Sequence, residues 1–367
     1  MVVHFNKKEG SQLKLFTPGP VEVPGRLLDE MTKPNDTHRS KPYSEMHKIV
    51  IDGLKKVLFT KNQCLIVTSS ATGIMEACVR NLVKKDEKAL FFSVGAFGDR
   101  WYEIGETNGK DSTKEGVEWG GAITPEFAKE ALSKDNYDVV FIQANETSTG
   151  VYNPIDDVVP IIKDTDALVC VDATSSMAGV KVELDKLGID VCLASVQKCF
   201  AIPPGLAVCS ISDAAIEKTA KVENRGYYFD FEQLLGKEKK SQTLTTPPIP
   251  QIRALSAQMD YILNKEGLEN RFNRYTELGK RTRQWAKEMD LEMYPIKEEF
   301  CSNTVSTIKS KEGLNTAEMV SNLMKEGYKI VNGYGNLANE TFRIGHMGEI
   351  TLFDLNEMLK VLTDLIP

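Results

Sequence analysis

Short apolar runs with almost no internal alternation recur through the first two-thirds of the chain, each closed by polar or turn-forming residues. The clearest are 64–68 (CLIVT), 88–95 (KALFFSVG), 138–144 (DVVFIQA), 167–173 (ALVCVDA), 191–195 (VCLAS) and 206–212 (LAVCSIS). Continuous apolarity belongs to strands covered on both faces, as in a mostly parallel sheet. Between them lie stretches of helical period. Met46, Ile49, Val50 and Leu54 mark a helix from Tyr43 onward, and TGIMEACVRNLV and FGDRWYEIGETNG follow two of the strands. Residues 43–250 therefore predict a large α/β domain.

The pattern changes at TTPPIPQ, whose prolines bar a central strand or a helix interior. A long helical stretch runs from Gln251 to about Met289. After it come TVSTIK, a helix from Thr316 to Glu326, YKIVNG, ETFRIG and a closing helix, DLNEMLKVLTDLI. That mixture predicts a small α+β domain over 251–367. The N-terminal segment, 1–42, is rich in proline and turn formers and predicts a strap on the surface that builds no core.

A chain of 367 residues exceeds what one core usually serves, which agrees with two domains. Its net charge of −7 argues against nucleic acid or an anionic membrane as partner. The densest basic cluster, KEKK at 237–240, reads as a solvated loop. No apolar run approaches the roughly 18 residues of a membrane span, and the N-terminus carries no secretory pattern. Seven cysteines, mostly inside strand-like runs, read as free, small hydrophobes of a reducing cytoplasm. Four histidines without close Cys/His spacing point away from a structural zinc site.

Four local features carry candidate chemistry, and each has a plainer reading beside it. In TSSATGIMEA a strand gives way to a helix through small residues, which makes a phosphate cradle or an ordinary helix cap. In ALVCVDATSS, Asp172 sits at the C-terminal end of a buried strand, where open α/β sheets bind ligands. It either meets a cationic partner there or caps the next turn. Lys198, in VCLASVQKCF, is a desolvated amine suited to imine formation or an exposed lysine after a strand. Arg343, in ETFRIGHMG, clamps a carboxylate or forms a structural ion pair. Together the four make a set: phosphate cradle, acid, a lysine 26 positions beyond the acid, and a late arginine. Chemistry on pyridoxal 5'-phosphate (PLP) requires a phosphate site, a carboxylate on the pyridinium nitrogen and an imine-forming lysine.

At FTPGP, NETSTGVYNP, VDATSS, SVQK with its following PPG, and FRIGHMG, the sequence resembles the class V aminotransferases of PLP fold type I. The resemblance runs over nearly the whole chain and is nearest to alanine–glyoxylate/serine–pyruvate and 2-aminoethylphosphonate–pyruvate aminotransferases. It implies a mostly parallel seven-stranded sheet in the large domain and a smaller C-terminal α+β domain. It also implies an amino-group transfer between a small amino acid (of the alanine, serine, aspartate or aminoethylphosphonate class) and a 2-oxo acid such as pyruvate or glyoxylate. By the same resemblance Ser70, Ala71 and Thr72 bind the phosphate, with Gln197. Phe97 stacks on the pyridine ring, and Thr147 contacts the cofactor. Asp172 partners the ring nitrogen, Lys198 carries the cofactor, and Arg343 grips the substrate carboxylate. Thr245 or Thr246 completes the phosphate site of a second subunit in a homodimer. Phe97 stands where alanine–glyoxylate enzymes often have tryptophan, and Ala71 where many relatives have glycine. His38, Arg39 and Ser40 resemble an HRS motif near some active sites, or form a surface loop.

Two other readings compete. A class V lyase such as a cysteine desulfurase would usually carry histidine before the lysine and a cysteine on a mobile loop; here Gln197 precedes Lys198. A non-catalytic ligand-binding α/β protein is the other. For a dinucleotide, G-x-G-x-x-G should follow the first strand, where TSSATG stands instead.

Overall fold

The computed structural model describes residues 13–366. Its main sheet has seven strands: β1 Gln63–Val67, β2 Lys88–Ser93, β3 Asp111–Gly116, β4 Val139–Gln143, β5 Leu168–Asp172, β6 Val191–Ser195 and β7 Ala207–Ile211. They lie in the order β1-β7-β6-β5-β4-β2-β3. Every pairing is parallel except those of β7, which runs antiparallel to both β1 and β6. Six strands fall on the six apolar runs. The seventh, β3, reads DSTKEG and has no apolar pattern to reveal it. It lies at the sheet edge, half in water, so ladder bonds to β2 fix it without a buried face.

The apolar runs divide between two cores. Val139 and Phe141 pack with Cys170, Val191 and Leu193 on one face of the sheet. Val140 and Ile142 pack with Val169, Val171 and Ala194 on the other. Period two with both sets buried is why these strands show no alternation.

The N-terminal segment differs from the expected surface strap. It contains a helix, α1 Gly25–Thr32, whose Leu27 is fully buried in the main core. Lys14–Leu15 pairs in parallel with Tyr328–Lys329, and Phe16 is fully buried among Leu278, Phe342 and Ile344. Burying one such phenylalanine contributes about 2–3 kcal/mol, so the segment is part of the core. Its prolines and turn formers hid this, because the apolar positions are single residues with no period.

Ser40 caps α2 Lys41–Val57 by accepting the Tyr43 N–H. Two further helices, α3 Ala71–Leu82 and α4 Ala96–Thr107, follow β1 and β2. The KEKK cluster is not a loop throughout: Lys237 and Glu238 close a helix, Phe231–Glu238, and the Glu238 carboxylate pairs with the buried His47 ring. The long helix expected from Gln251 is two. First comes α5 Ile249–Asp260, with Pro250 in its first turn, where a missing N–H costs nothing. It widens into a π-helical turn, Tyr261–Glu266, and stops at Gly267, φ +80°. Then α6 Leu268–Glu288 begins. A small antiparallel sheet of β8 Val305–Lys309, β9 Val331–Asn332 and β10 Thr341–Gly345, ordered β8-β10-β9, stands beyond them. YKIVNG, expected as one element, is split between this sheet and the pair with Lys14–Leu15.

Candidate functional site

The floor of the site lies at the C-terminal ends of two adjacent parallel strands. Asp172 is the last residue of β5; β6 ends at Ser195 and leads directly into Gln197 and Lys198. One cavity is lined by these residues, by Ser70, Ala71, Thr72 and Met75 at the start of α3, and by Phe97, Arg100, Thr147 and Thr174. Ser70, the cap of α3, makes no side-chain bond to the first turn, and the Ala71 N–H donates to the Ser195 hydroxyl at 2.6 Å. The helix start thus offers dipole and donors to an anion.

Asp172 is 3% exposed. Its Oδ1 accepts both the Thr174 N–H at 2.8 Å and the Thr174 hydroxyl. Burial pushes its pKa up, opposed by the Thr174 bonds and by the charges of Lys198 and Arg100. A buried acid without a contact ion pair suits a cationic ring N–H. Lys198 is pushed down to about 8, first by burial and then by Arg343, with Asp172 pulling the other way. Its Nζ donates to the Pro18 carbonyl. At Gly19, φ +104°, a Cβ would lie 2.4 Å from Lys198 Cδ. The positive φ is what requires glycine in FTPGP, and the turn it makes lies against the lysine side chain, a contact that sequence reasoning missed because the two are far apart in the chain.

The rim is built differently. Glu146 is fully buried; one carboxylate oxygen accepts the N–H groups of Phe97 and Gly98 at 3.0 and 3.1 Å, and the other accepts from Ser148. Burial pushes the Glu146 pKa up against these bonds. The carboxylate holds the start of α4 and so orients Phe97. The Phe97 ring stacks on Tyr334, centroids 5.5 Å apart, and Arg100 lies 4.8 Å over Phe97 and donates to the Tyr334 hydroxyl at 2.9 Å. Arg343, on β10, lies 5.4 Å from the Tyr334 ring centre and donates to the carbonyls of Thr147 and Asn332. Burial lowers its pKa to about 10, so it stays charged at neutral pH. Sequence reasoning missed Tyr334 and Arg100, since each sits in an unremarkable local context.

Eight of the sequence-derived positions share the cavity: Ser70, Ala71, Thr72, Phe97, Thr147, Asp172, Gln197 and Lys198. Arg343 reaches it through the Thr147 carbonyl. Thr245 and Thr246 do not line it; Thr245 is half-buried and Thr246 exposed. The 38–40 loop packs instead on the segment before them, Arg39 donating to Gln242 and to the carbonyls of Thr243 and Leu244. All seven cysteines are buried. Cys199, next to the lysine, directs its thiol at the Ser175 carbonyl, and burial pushes it up to about 11, which removes it as a nucleophile.

This donor set fits PLP: hydroxyls and a helix start for a phosphate, a buried acid for a ring nitrogen, an aromatic face, and an amine of lowered basicity. The family model described as aminotransferase class-V matches residues 15–337. An uncharacterised aminotransferase of Methanocaldococcus jannaschii is 39% identical over 91% of this chain and 87% of its own. The L-aspartate–glyoxylate aminotransferase of Paracoccus denitrificans is 31% identical over 93% of this chain and 88% of its own. The crystal structure of alanine–glyoxylate aminotransferase from Nostoc superposes with a TM-score of 0.92 at 25% identity, covering 100% of this chain and 98% of the other.

Proposed function

Since the chain belongs to the class V aminotransferases, and is thus a PLP-dependent transaminase of fold type I, we propose that Lys198 and Asp172 are its catalytic pair and that it moves an amino group between a small amino acid and glyoxylate or pyruvate. The observation that carries this reading is the cavity itself: a buried acid and a half-buried lysine from adjacent strand ends, brought together opposite a helix start. Names of relatives support the substrates, among them serine–glyoxylate and L-aspartate–glyoxylate aminotransferases.

When bound, PLP supplies an electron sink for the carbanion at the substrate Cα. The chain does the rest. Ser70, Ala71, Thr72 and Gln197 would hold the phosphate, Phe97 would stack on the ring and Thr147 would contact the cofactor. Asp172 would keep the ring nitrogen protonated, and the ion pair so formed would offset the cost of burying the carboxylate. Lys198 Nζ is the attachment point and, once freed, carries the proton to and from Cα; an amine near pKa 8 is neutral often enough at pH 7 to 8 to serve as base. Arg343 binds the substrate carboxylate with its remaining N–H groups.

The division into a PLP domain, 43–250, and a small domain, 251–367, belongs to the same reading, as does a cytoplasmic homodimer in which Thr245 or Thr246 reaches the partner's phosphate. No helix among the described residues is long and apolar enough to cross a membrane. Borohydride reduction of the holoprotein followed by peptide mapping tests the assignment: the cofactor should be fixed to Lys198, and its recovery on another lysine, or on none, would falsify the reading. Titration of the visible band with alanine, serine, aspartate and aminoethylphosphonate then names the donor, as the one that converts the aldehyde form to the amine form.

A further inference from the structure

Arg271, on α6, is fully buried and has no part in the chemistry above. Its guanidinium spans two loops. Nε donates to the Ala178 carbonyl at 2.7 Å, in the turn that follows Asp172, and Nη2 donates to the carbonyl of Cys199, the residue after Lys198. Both loops hold a non-glycine residue in the left-handed region, Ala178 at φ +65° and Ala201 at φ +56°, and the Ala201 N–H bonds back to the Lys198 carbonyl. Such conformations persist only where the surroundings over-determine them. The fork-shaped, always charged guanidinium can fix two carbonyls at once, which lysine cannot.

The charge of Arg271 is met by Glu266, from the π-helical turn, at 2.5 Å. The other oxygen of Glu266 holds Arg274 at 2.8 Å, and Arg274 donates to the carbonyls of Ile350 and Gly348, just past the Arg343 strand. Tyr275 adds a bond to the Gly348 carbonyl at 2.8 Å. A continuous set of charged hydrogen bonds thus joins the loops behind Asp172 and Lys198 to the turn behind Arg343.

We propose that Arg271 is a positioning residue: it fixes the peptide planes behind Asp172 and Lys198, and through Glu266 and Arg274 it holds the lysine in register with the substrate-binding arginine. The inference rests on Lys198 being the attachment point.

The test uses Arg271→Met, Arg271→Lys and Glu266→Gln in the holoprotein. The visible circular dichroism of the bound cofactor reads the torsion at its linkage, and turnover is measured with the donor named by the titration. Arg271→Met should flatten or invert the visible signal and lower kcat on the order of 100-fold, as displacement of a reacting group by about 1 Å does, with KM changed far less. Arg271→Lys should recover part of both, by regaining one carbonyl. Should Arg271→Met not fold, Glu266→Gln keeps the guanidinium and loses its anchor, and a weakened visible signal is expected there too. Wild-type circular dichroism and kcat in the variants that fold, whatever their melting temperature, would reduce Arg271 to a structural residue. Cofactor mapped to a different lysine in the wild type overturns the premise instead, and the borohydride experiment reads that separately.

Discussion

The floor and the rim of the site are made in opposite ways. On the floor, Asp172 and Lys198 leave the ends of two paired central strands, so backbone ladders fixed on both sides determine where they stand. The rim takes Phe97 and Arg100 from α4, and Tyr334 and Arg343 from the C-terminal region, and joins them by ring stacking and single hydrogen bonds. The floor is suited to chemistry, which tolerates little displacement, and the rim to recognition, where modest repacking changes which substrate fits. If that contrast holds, floor substitutions act on kcat and rim substitutions on KM.

The largest effect is expected at the floor. On the proposed assignment Lys198→Ala removes both the attachment point and the proton carrier, and single-turnover rates should fall by about 10⁴-fold, the upper end for loss of a general base. The variant should still fold and still bind the cofactor non-covalently, which absorbance after gel filtration measures. Retention of more than a tenth of the wild-type rate would place the base elsewhere. Arg343→Gln comes next. If Arg343 is the proposed clamp on the substrate carboxylate, its loss should raise KM on the order of 100-fold while kcat falls much less. A kcat loss as large as the KM change would erase the distinction between rim and floor.

A third effect bears on stability. Burial holds the folded-state pKa of Lys198 at about 8, below the 10.5 of a free lysine. Below pH 8 the lysine is charged in both states and burial penalises the folded one. Between pH 8 and 10.5 the unfolded chain binds more protons, so this group's contribution to stability rises with pH, and above 10.5 the penalty is gone. In the cofactor-free protein, Lys198→Met should therefore be more stable than wild type by about 3 kcal/mol at neutral pH, a gain that shrinks to near zero by about pH 10.5. Denaturant unfolding at a series of pH values measures it. A gain that does not depend on pH would mean that Met merely packs better.

What is legible in the sequence follows the same division. Ser70 to Thr72, Asp172, Gln197 and Lys198 sit beside apolar strand runs, so the local pattern alone places them at strand ends. Arg343 is legible too, because Phe342 and Ile344 flank it in a strand-like segment. The rest depends on contacts distant in the chain. Gly19 meets Lys198 across nearly half the sequence, Tyr334 meets Phe97 and Arg100, and Arg271 meets Ala178 and Cys199. None has a local signature. In the fold, the polar edge strand β3 and the buried Phe16 escape for a related reason: ladder bonds and one isolated side chain produce no period.

The smallest effect expected is also the sharpest probe of the rim. Tyr334 stands between Gly333 and Gly335, so its neighbours add no side chains to hold it, and its place depends on the Phe97 stack and the hydroxyl bond from Arg100. Tyr334→Phe keeps the stack and removes only that bond, a net loss of about 1 kcal/mol, or roughly fivefold in KM. Tyr334→Ala removes the stack as well and should cost further in KM, with kcat nearly unchanged in both. Because Arg100 also faces Asp172 from the cavity wall, freeing it opens a second outcome. If Tyr334→Phe lowers kcat instead of raising KM, the released guanidinium has moved onto the acid, and rim and floor are then coupled through Arg100.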